Sequence, residues 1–480
     1  MLPEELISLI NDIRQNGSED NRIEIKKAAG GCPKLYDTLS SFSNQPGGGI
    51  IVFGIDQYND FDLCGVYDAD DLQKNIISMC KQMTPVVRPV CTVASMGDKK
   101  FVSAEIHELD LTDKPCFYTG AGRLKGSFVR VGDSDERMTE YEIYSYEAFR
   151  KKLQDELRTE QRADMSDIQT LSLDKYLISL REKKPGQANL AAEKILKLQG
   201  FTDNDKPTLA GIMMFAEYPQ AFFPQLCITA VSVPGLEIGD PGEYSQRFDD
   251  NERIEGTIPQ MLDGAMSFIR RNIRVRTIVN PQTGKREDMT EYPIIALREI
   301  LLNALIHRDY SIHTDSCPVT VRIFRDRIEV ENPGGLYGRM TIDNLSKTIA
   351  DTRNPFIAKA MEVIGETENR FSGIPIIRKS MRDYQLPAPV FENHRGVFKV
   401  TLYNHTTIEA QTSGNDMEKQ ILQYCEQWRS RAELKEHFSQ ITASYLMSAH
   451  VNPLVEQGKL ELLYSQTPRS KKQQYRTVHH

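Results

Sequence analysis

The sequence has no apolar run approaching the roughly 18 residues that a membrane-spanning helix requires, so no membrane partner is expected. It has no Gly-x-x-x-x-Gly-Lys-Ser/Thr loop, which leaves a motor of the phosphate-loop class without an engine. Its eight cysteines (32, 64, 80, 91, 116, 227, 317 and 425) form no Cys-x-x-Cys pair. They read as reduced core residues of a cytoplasmic protein, not as a zinc ligand set. The first twenty residues, MLPEELISLINDIRQNGSED, are acidic and amphipathic, where a secretion signal would be basic and then apolar. There is one tryptophan, Trp428, and no internal repeat. Excess positive charge is also missing: 59 Lys+Arg face 67 Asp+Glu, a formal net charge of -8. Such a chain does not coat nucleic acid nonspecifically, but one small basic module is compatible with it. What is present is ordinary for a globular protein, with 40% hydrophobic and 26% charged residues. The 480 residues, at about 150 per domain, predict about three domains.

The expected class is a multidomain α+β chain. Residues 1–150 carry short apolar runs bounded by Gly, Asp or Asn (GGGIIVFGID, CTVASM, KKFVSAEIHEL, GSFVRVGD) between helical patterns. Residues 151–185 are charged and helix-favouring, the character of a connecting segment. Residues 186–410 alternate again: TLAGIMMFA and LCITAVSV are buried-strand candidates, LREILLNALIHRDYS is a helix, and CPVTVRIFRDRIEVENPGG is a hairpin turning at Arg325–Arg327. A small, polar stretch near 406–415 reads as a linker. Residues 411–480 then hold three helical patterns and a basic hairpin, the shape of a winged helix-turn-helix.

In the first segment, Glu19 and Glu24 precede Lys26 and Lys27, and Asn44, Gly47, Gly48, Gly54 and Asp56 follow around an apolar strand. This order resembles the Schlafen AlbA-type domain, with Ile25 where that family usually has an aromatic. Residues 130–138 resemble its closing segment. In the nuclease members three carboxylates hold a divalent cation, and by position they fall on Glu19, Glu24 and Asp56. Oxygen ligands suit Mg²⁺, which would activate water for phosphodiester cleavage. The preferred reading of this domain is nucleic-acid binding, of DNA, without cleavage, and two simpler roles stand beside both: Glu24 pairs with a nearby lysine, and Asp56 caps a turn. Likewise Gly47–Gly49 either let backbone approach a phosphate or make a tight helix-to-strand turn.

In the middle segment, Glu299 and Asn303 stand four apart on one helix face, with His307 continuing it. Glu331–Gly335 (ENPGG), Arg353–Pro355 and Gly373 follow. The order resembles the divergent GHKL ATPase-like domain, an α/β sandwich found C-terminal to AlbA-type domains in bacterial regulators, some of them labelled RecG-like helicases. That resemblance implies ATP and Mg²⁺ as cofactors. Asn303 would hold the Mg²⁺ and Glu299 would orient an attacking water. Asn332 would stand for the Asp that binds the adenine amino group, with Gly334, Gly335 and Gly373 near the nucleotide. Phe371 occupies a position where the family carries glycine, so its ring is expected to intrude on the phosphate space.

At the C-terminus, residues 416–478 hold 9 Lys+Arg against 7 Asp+Glu. Arg469, Lys471, Lys472 and Arg476 cluster on the expected wing, which suits phosphates beside a groove. Thr442, Ser444 and Tyr445 open the candidate recognition helix. The preferred reading is a DNA-binding transcriptional regulator with a nucleotide or small-molecule effector, assembling as a homo-oligomer. A metal-dependent nuclease or a GHKL-type ATPase is the alternative.

Overall fold

The computed structural model describes residues 1–16, 21–240, 246–279, 286–345, 347, 351–366, 373–404, 419–438, 446–463 and 473–478. Among these, no helix is long and apolar enough to cross a membrane.

Helix α1 (Pro3–Asn16) places Leu6, Ile10 and Ile13 along one stripe. Strand β1 (Ile23–Lys26), helix α2 (Tyr36–Asn44), strand β2 (Gly49–Phe53), helix α3 (Ala69–Cys80) and strands β3 (Val90–Met96) and β4 (Lys99–Ile106) complete the first fold. The sheet order is β1-β2-β4-β3, with β1 and β2 parallel and the other pairs antiparallel. Strand alternation splits β2: Val52 joins the α1 core, and Ile51 and Phe53 join the core beneath α2 and α3. The glycine turn before β2 is steric in origin. Gly48 has φ +68°, and a Cβ there would lie 2.1 Å from the Ile106 carbonyl oxygen. A Cβ on Gly49 would enter the Phe42 ring at 2.6 Å. Asn44 is buried and tied through both ends of its amide: its Nδ2 donates to the Cys116 and Phe128 carbonyls at 3.0 Å each, and its Oδ1 accepts from the Cys116 amide at 2.7 Å. The hairpin β5 (Phe128–Val131) and β6 (Ser134–Arg137) leads into helix α4 (Glu140–Lys151), opened by a Thr139–Glu142 capping box.

The central core runs from Ala163 to Leu402. Helix α5 (Thr170–Lys183), within the segment expected to connect two units, buries Tyr176, Leu177 and Leu180 in it. Helix α6 (Leu209–Phe215) corrects the strand expected over TLAGIMMFA. All seven of its residues are buried, so the run shows no periodicity, and Thr208 caps it by accepting from the Gly211 amide. Strands β7 (Ile228–Ser232) and β8 (Asp250–Ile254) and helices α7 (Ile258–Asn272) and α8 (Ile294–His307) follow. Strands β9 (Val319–Ile323) and β10 (Arg327–Pro333), helices α9 (Pro355–Ile364) and α10 (Gly373–Asp383), and strands β11 (Val390–His394) and β12 (Val397–Tyr403) complete this part. The sheet order is β8-β7-β9-β10-β12-β11; only β7 and β9 pair in parallel. One face is apolar: Ile228, Ala230, Val319, Val321, Ile328, Val330, Val400 and Leu402 belong to the helix-covered core. On the opposite face of β10, Glu329 and Glu331 meet Arg322, Arg327 and Lys399.

The C-terminal part holds strand β13 (Arg429–Ser430), helix α11 (Arg431–His437) with a Ser430–Glu433 capping box, a π-helical turn at Leu446–Val451, and helix α12 (Asn452–Glu456). Strands β14 (Leu460–Leu462) and β15 (Gln474–Thr477) join β13 in the order β13-β15-β14. Ile421, Leu434, Leu446, Leu454 and Tyr475 share its core.

Candidate functional site

In the first domain, β1 carries Glu24 into a nearly buried setting between two cations. Its Oε1 accepts from Lys26 Nζ, and its Oε2 lies 2.8 Å from Arg130 Nη1. The Arg130 side chain is 1% exposed and also meets Asp135 Oδ1 at 3.0 Å. Asp135 accepts in turn from Thr38 Oγ1 at 2.7 Å and Ser41 Oγ at 2.5 Å. Asp56 pairs with Lys27 at 2.7 Å and accepts from the Tyr58 amide at 3.3 Å, a turn cap. Both carboxylates therefore take the simpler roles read from the sequence, each neutralised by the chain's own cations. A divalent cation would have to displace those partners. No group of three His, Cys, Asp or Glu suited to a metal occurs among the described residues. Glu19 lies outside them.

In the central domain, α8 presents Glu299 and Asn303 on one face, and Asn303 Nδ2 donates to Glu299 Oε1 at 3.1 Å. Burial raises the Glu299 carboxyl, and the Asn303 bond opposes the rise. The element against this pair is the start of α10: a Cβ on Gly373 would lie 2.3 Å from Glu299 Oε1 and 3.1 Å from Asn303 Nδ2. Gly334 (φ +105°) packs close to two charged groups: a Cβ there would lie 2.4 Å from Arg353 Nη1 and 2.6 Å from Asp309 Cβ. Asn332 shares the helix-facing side of β10 with Ile328 and Val330; it is buried, and its Oδ1 has no hydrogen-bond partner among the described residues. Phe371 lies outside the described residues.

A second polar hub centres on Asp309, to which sequence reasoning gives no role. Its Oδ2 accepts from the Tyr141 hydroxyl at 2.8 Å and sits 3.4 Å from Arg353 Nη1, and its Oδ1 accepts from the Ser311 amide at 2.8 Å. Tyr141 comes from α4, so the helix that follows the first domain is bonded directly to the central one. Tyr144, one turn on, donates to Asp155 Oδ2 at 2.5 Å and packs on the His313 ring. Arg395 and Glu136 form a second ion pair beside them. Burial and the Arg353 cation push the His307 imidazole down to about 4, so it is neutral. Asn354 Nδ2 closes the end of α8 through the Ile306 and Arg308 carbonyls at 2.9 and 2.6 Å. The cues to this hub in the sequence are the motif residues Arg353–Pro355 and the row of tyrosines at 141, 144 and 146.

At the C-terminus, Thr442, Ser444, Tyr445, Arg469, Lys471 and Lys472 lie outside the described residues. Arg476 is described: its Nη2 pairs with Glu461 Oε1 at 2.6 Å, and its guanidinium stands 4.6 Å over the Trp428 ring.

Two family models match the chain. "Schlafen, AlbA_2" matches residues 19–139, and "Putative ATP-dependent DNA helicase recG C-terminal" matches residues 316–402, beginning after the helix that carries Glu299 and Asn303. No curated protein matches. Among solved structures, the chain is similar to the DIP2311 protein from Corynebacterium diphtheriae, with 21% identity over 84% of this chain and 80% of that one and a TM-score of 0.41. It is also similar to the N-terminal domain of a RecG-related protein from Nitrosomonas europaea, with 26% identity over 28% of this chain and 93% of that one and a TM-score of 0.23. The chain thus joins a Schlafen AlbA_2 domain to a HATPase-like domain of the RecG C-terminal kind within one mixed α+β protein.

Proposed function

We propose that the protein is a DNA-binding transcriptional regulator whose central domain takes an adenine nucleotide as effector. The observation that carries the nucleotide reading is Asn332. A buried amide oxygen without a partner is costly, and an adenine amino group is a donor that would satisfy it. The donor set fits the rest of the ligand. Asn303 offers an amide oxygen to Mg²⁺, Glu299 stands beside it, and Gly373 brings backbone without a side chain against both. Bound Mg²⁺ would neutralise phosphate charge; this chain's residues would bind and orient the nucleotide. The Glu299–Asn303 bond keeps the carboxylate where a water could be held, yet burial disfavours its charge, which suits sensing better than rapid hydrolysis. Isothermal calorimetry with Mg²⁺-ATP is expected to show binding that Asn332→Leu abolishes. Asn303→Ala should weaken it roughly tenfold or more, the worth of one lost charge-assisted contact. Absence of binding to the wild-type chain would overturn the reading.

DNA recognition is assigned to the C-terminal unit, as a winged helix. Its three short strands with α11 and α12, and its charge of +2 within a chain of -8, support this. Deletion of residues 411–480 is expected to abolish specific duplex binding in a gel-shift assay. Lys471→Ala with Lys472→Ala should weaken binding to all sequences alike and reduce the salt slope by about one per lost phosphate contact. Full operator affinity in the truncated chain would reassign the reader.

A further inference from the structure

We propose that the first domain carries a separate binding ledge for single-stranded nucleic acid, built from the stacked tyrosines Tyr36 and Tyr118 with Lys81 and Lys125 on its rim. The two rings lie 3.8 Å apart at an interplanar angle of 20°. Both are half-buried and pack against the core beneath α2 and α3, which fixes their planes and leaves ring surface in solvent. Their surroundings are polar and built to hold them. The Tyr36 hydroxyl donates to Gln82 Oε1 at 3.0 Å, the Gln82 carbonyl accepts from the Thr119 amide at 3.0 Å, and Thr119 Oγ1 meets Thr84 Oγ1 at 2.7 Å. The Tyr118 carbonyl anchors the following turn by accepting from the Ala121 and Gly122 amides, both at 3.1 Å. Gly120 leaves room for the phenol, because a Cβ there would fall 2.5 Å from the Tyr118 hydroxyl oxygen.

The charge around this ledge is opposite in sign to that of the chain. Lys34 precedes Tyr36 by two residues, Lys81 adjoins Gln82, and Arg123 and Lys125 lie in the single helical turn that follows the one Tyr118 anchors. Arg123 is committed to Glu147, and Asp37 is the acidic neighbour of Tyr36. Lys34, Lys81 and Lys125 are exposed, and none is ion-paired among the described residues. An aromatic face held rigid beside unpaired cations is how a protein holds an unpaired base and its phosphate. A duplex hides its base faces, so the occupant is a single strand. The ledge shares no residue with the ion pairs of Glu24 and Asp56. It rests on the nucleic-acid reading of the first domain, and it is separable from duplex recognition by the C-terminal unit.

The test uses the full chain and 12-nucleotide single strands carrying 2-aminopurine, as DNA in one arm and RNA in the other. Stacking is expected to quench the probe, and the arm that binds more tightly names the sugar preferred. Tyr36→Leu keeps apolar volume but removes the π face, and should weaken single-strand binding on the order of tenfold. Tyr36→Phe keeps the ring and should bind as wild type, which separates stacking from the Gln82 bond. Lys81→Glu with Lys125→Glu changes only exposed positions, so it tests the ledge without disturbing the core, and it should weaken binding and flatten its salt dependence. Duplex affinity, measured on the same preparations, should be unchanged in all of these. Unaltered single-strand affinity in Tyr36→Leu, or no single-strand binding by the wild type, would overturn the ledge while leaving the duplex result to judge the C-terminal unit.

Discussion

Asp309→Ala is expected to destabilise the protein by about 3–5 kcal/mol, the usual result of removing one partner from a buried ion pair. Asp309 is 2% exposed, and the Arg353 side chain is 7% exposed. With the carboxylate gone, Arg353 retains the Gly335 carbonyl at 3.3 Å but has no ion-pair partner among the described residues, and the Tyr141 hydroxyl and the Ser311 amide lose the Asp309 acceptor. For a domain of this size, that corresponds to a melting-point drop on the order of ten degrees. The change should also loosen α4 from the central domain, because Tyr141 reaches that domain through this carboxylate. Limited proteolysis is expected to open residues 151–169 in the variant. Tyr141→Phe removes the bond to Asp309 while keeping the ring, and should cost about 1 kcal/mol. The double variant should then cost less than the sum of the two, since both changes break the same bond. A melting point within a degree or two of wild type would mean that Asp309 is not the tie between α4 and the central domain. If occupancy of the nucleotide site moves the loop at Gly334, Asp309 is the first group to transmit it to α4, because it touches both Gly334 and Tyr141.

Much of this arrangement was legible in the sequence where a short-range rule applies. The hairpin of β9 and β10 and the Glu299–Asn303 face follow from period 2 and from i, i+4 spacing, and both are observed. The two domain resemblances rested on ordered motifs with fixed separations and are matched at 19–139 and 316–402. Spacing could not say what each motif residue touches. Arg353, Asn354, Asp309 and Gly334 are adjacent in space because the ends of α8 and β10 meet the start of α9, and no local pattern encodes that meeting. Glu24 illustrates the same limit. Lys26 is two residues away and was anticipated, whereas Arg130, its second partner, arrives from a hairpin more than a hundred residues later. Helix α6 failed for a different reason: full burial erases the amphipathic pattern that separates helix from strand.

The second large effect is expected from Glu156, which is 0% exposed and caps α9. Its Oε1 accepts from the Phe356 amide at 2.9 Å and its Oε2 from the Ile357 amide at 2.8 Å. Burial disfavours the charged form more than the two amides favour it, and the carboxyl is pushed up to about 7 from 4.5. The folded state therefore binds a proton that the unfolded state has released across this interval, so stability falls as pH rises. The contribution is fully present below about pH 4.5 and is lost progressively as pH rises through 7, a change of about 3 kcal/mol at 1.36 kcal/mol per pH unit. Glu156→Gln is neutral throughout and offers one acceptor to two amides. Near pH 5 the variant should be less stable than wild type by about 1–2 kcal/mol, the cost of one unsatisfied buried amide. By pH 8 the wild type carries a buried charge that the variant lacks, so the difference should shrink or reverse. Urea unfolding of both proteins at a series of pH values checks this through their difference, which cancels every other titrating group. The signal must be far-UV circular dichroism, because the single tryptophan, Trp428, lies in the C-terminal unit and does not report on α9. Parallel pH profiles for the two proteins would mean that the carboxyl is already charged in the fold at pH 5, with the two amides outweighing its burial.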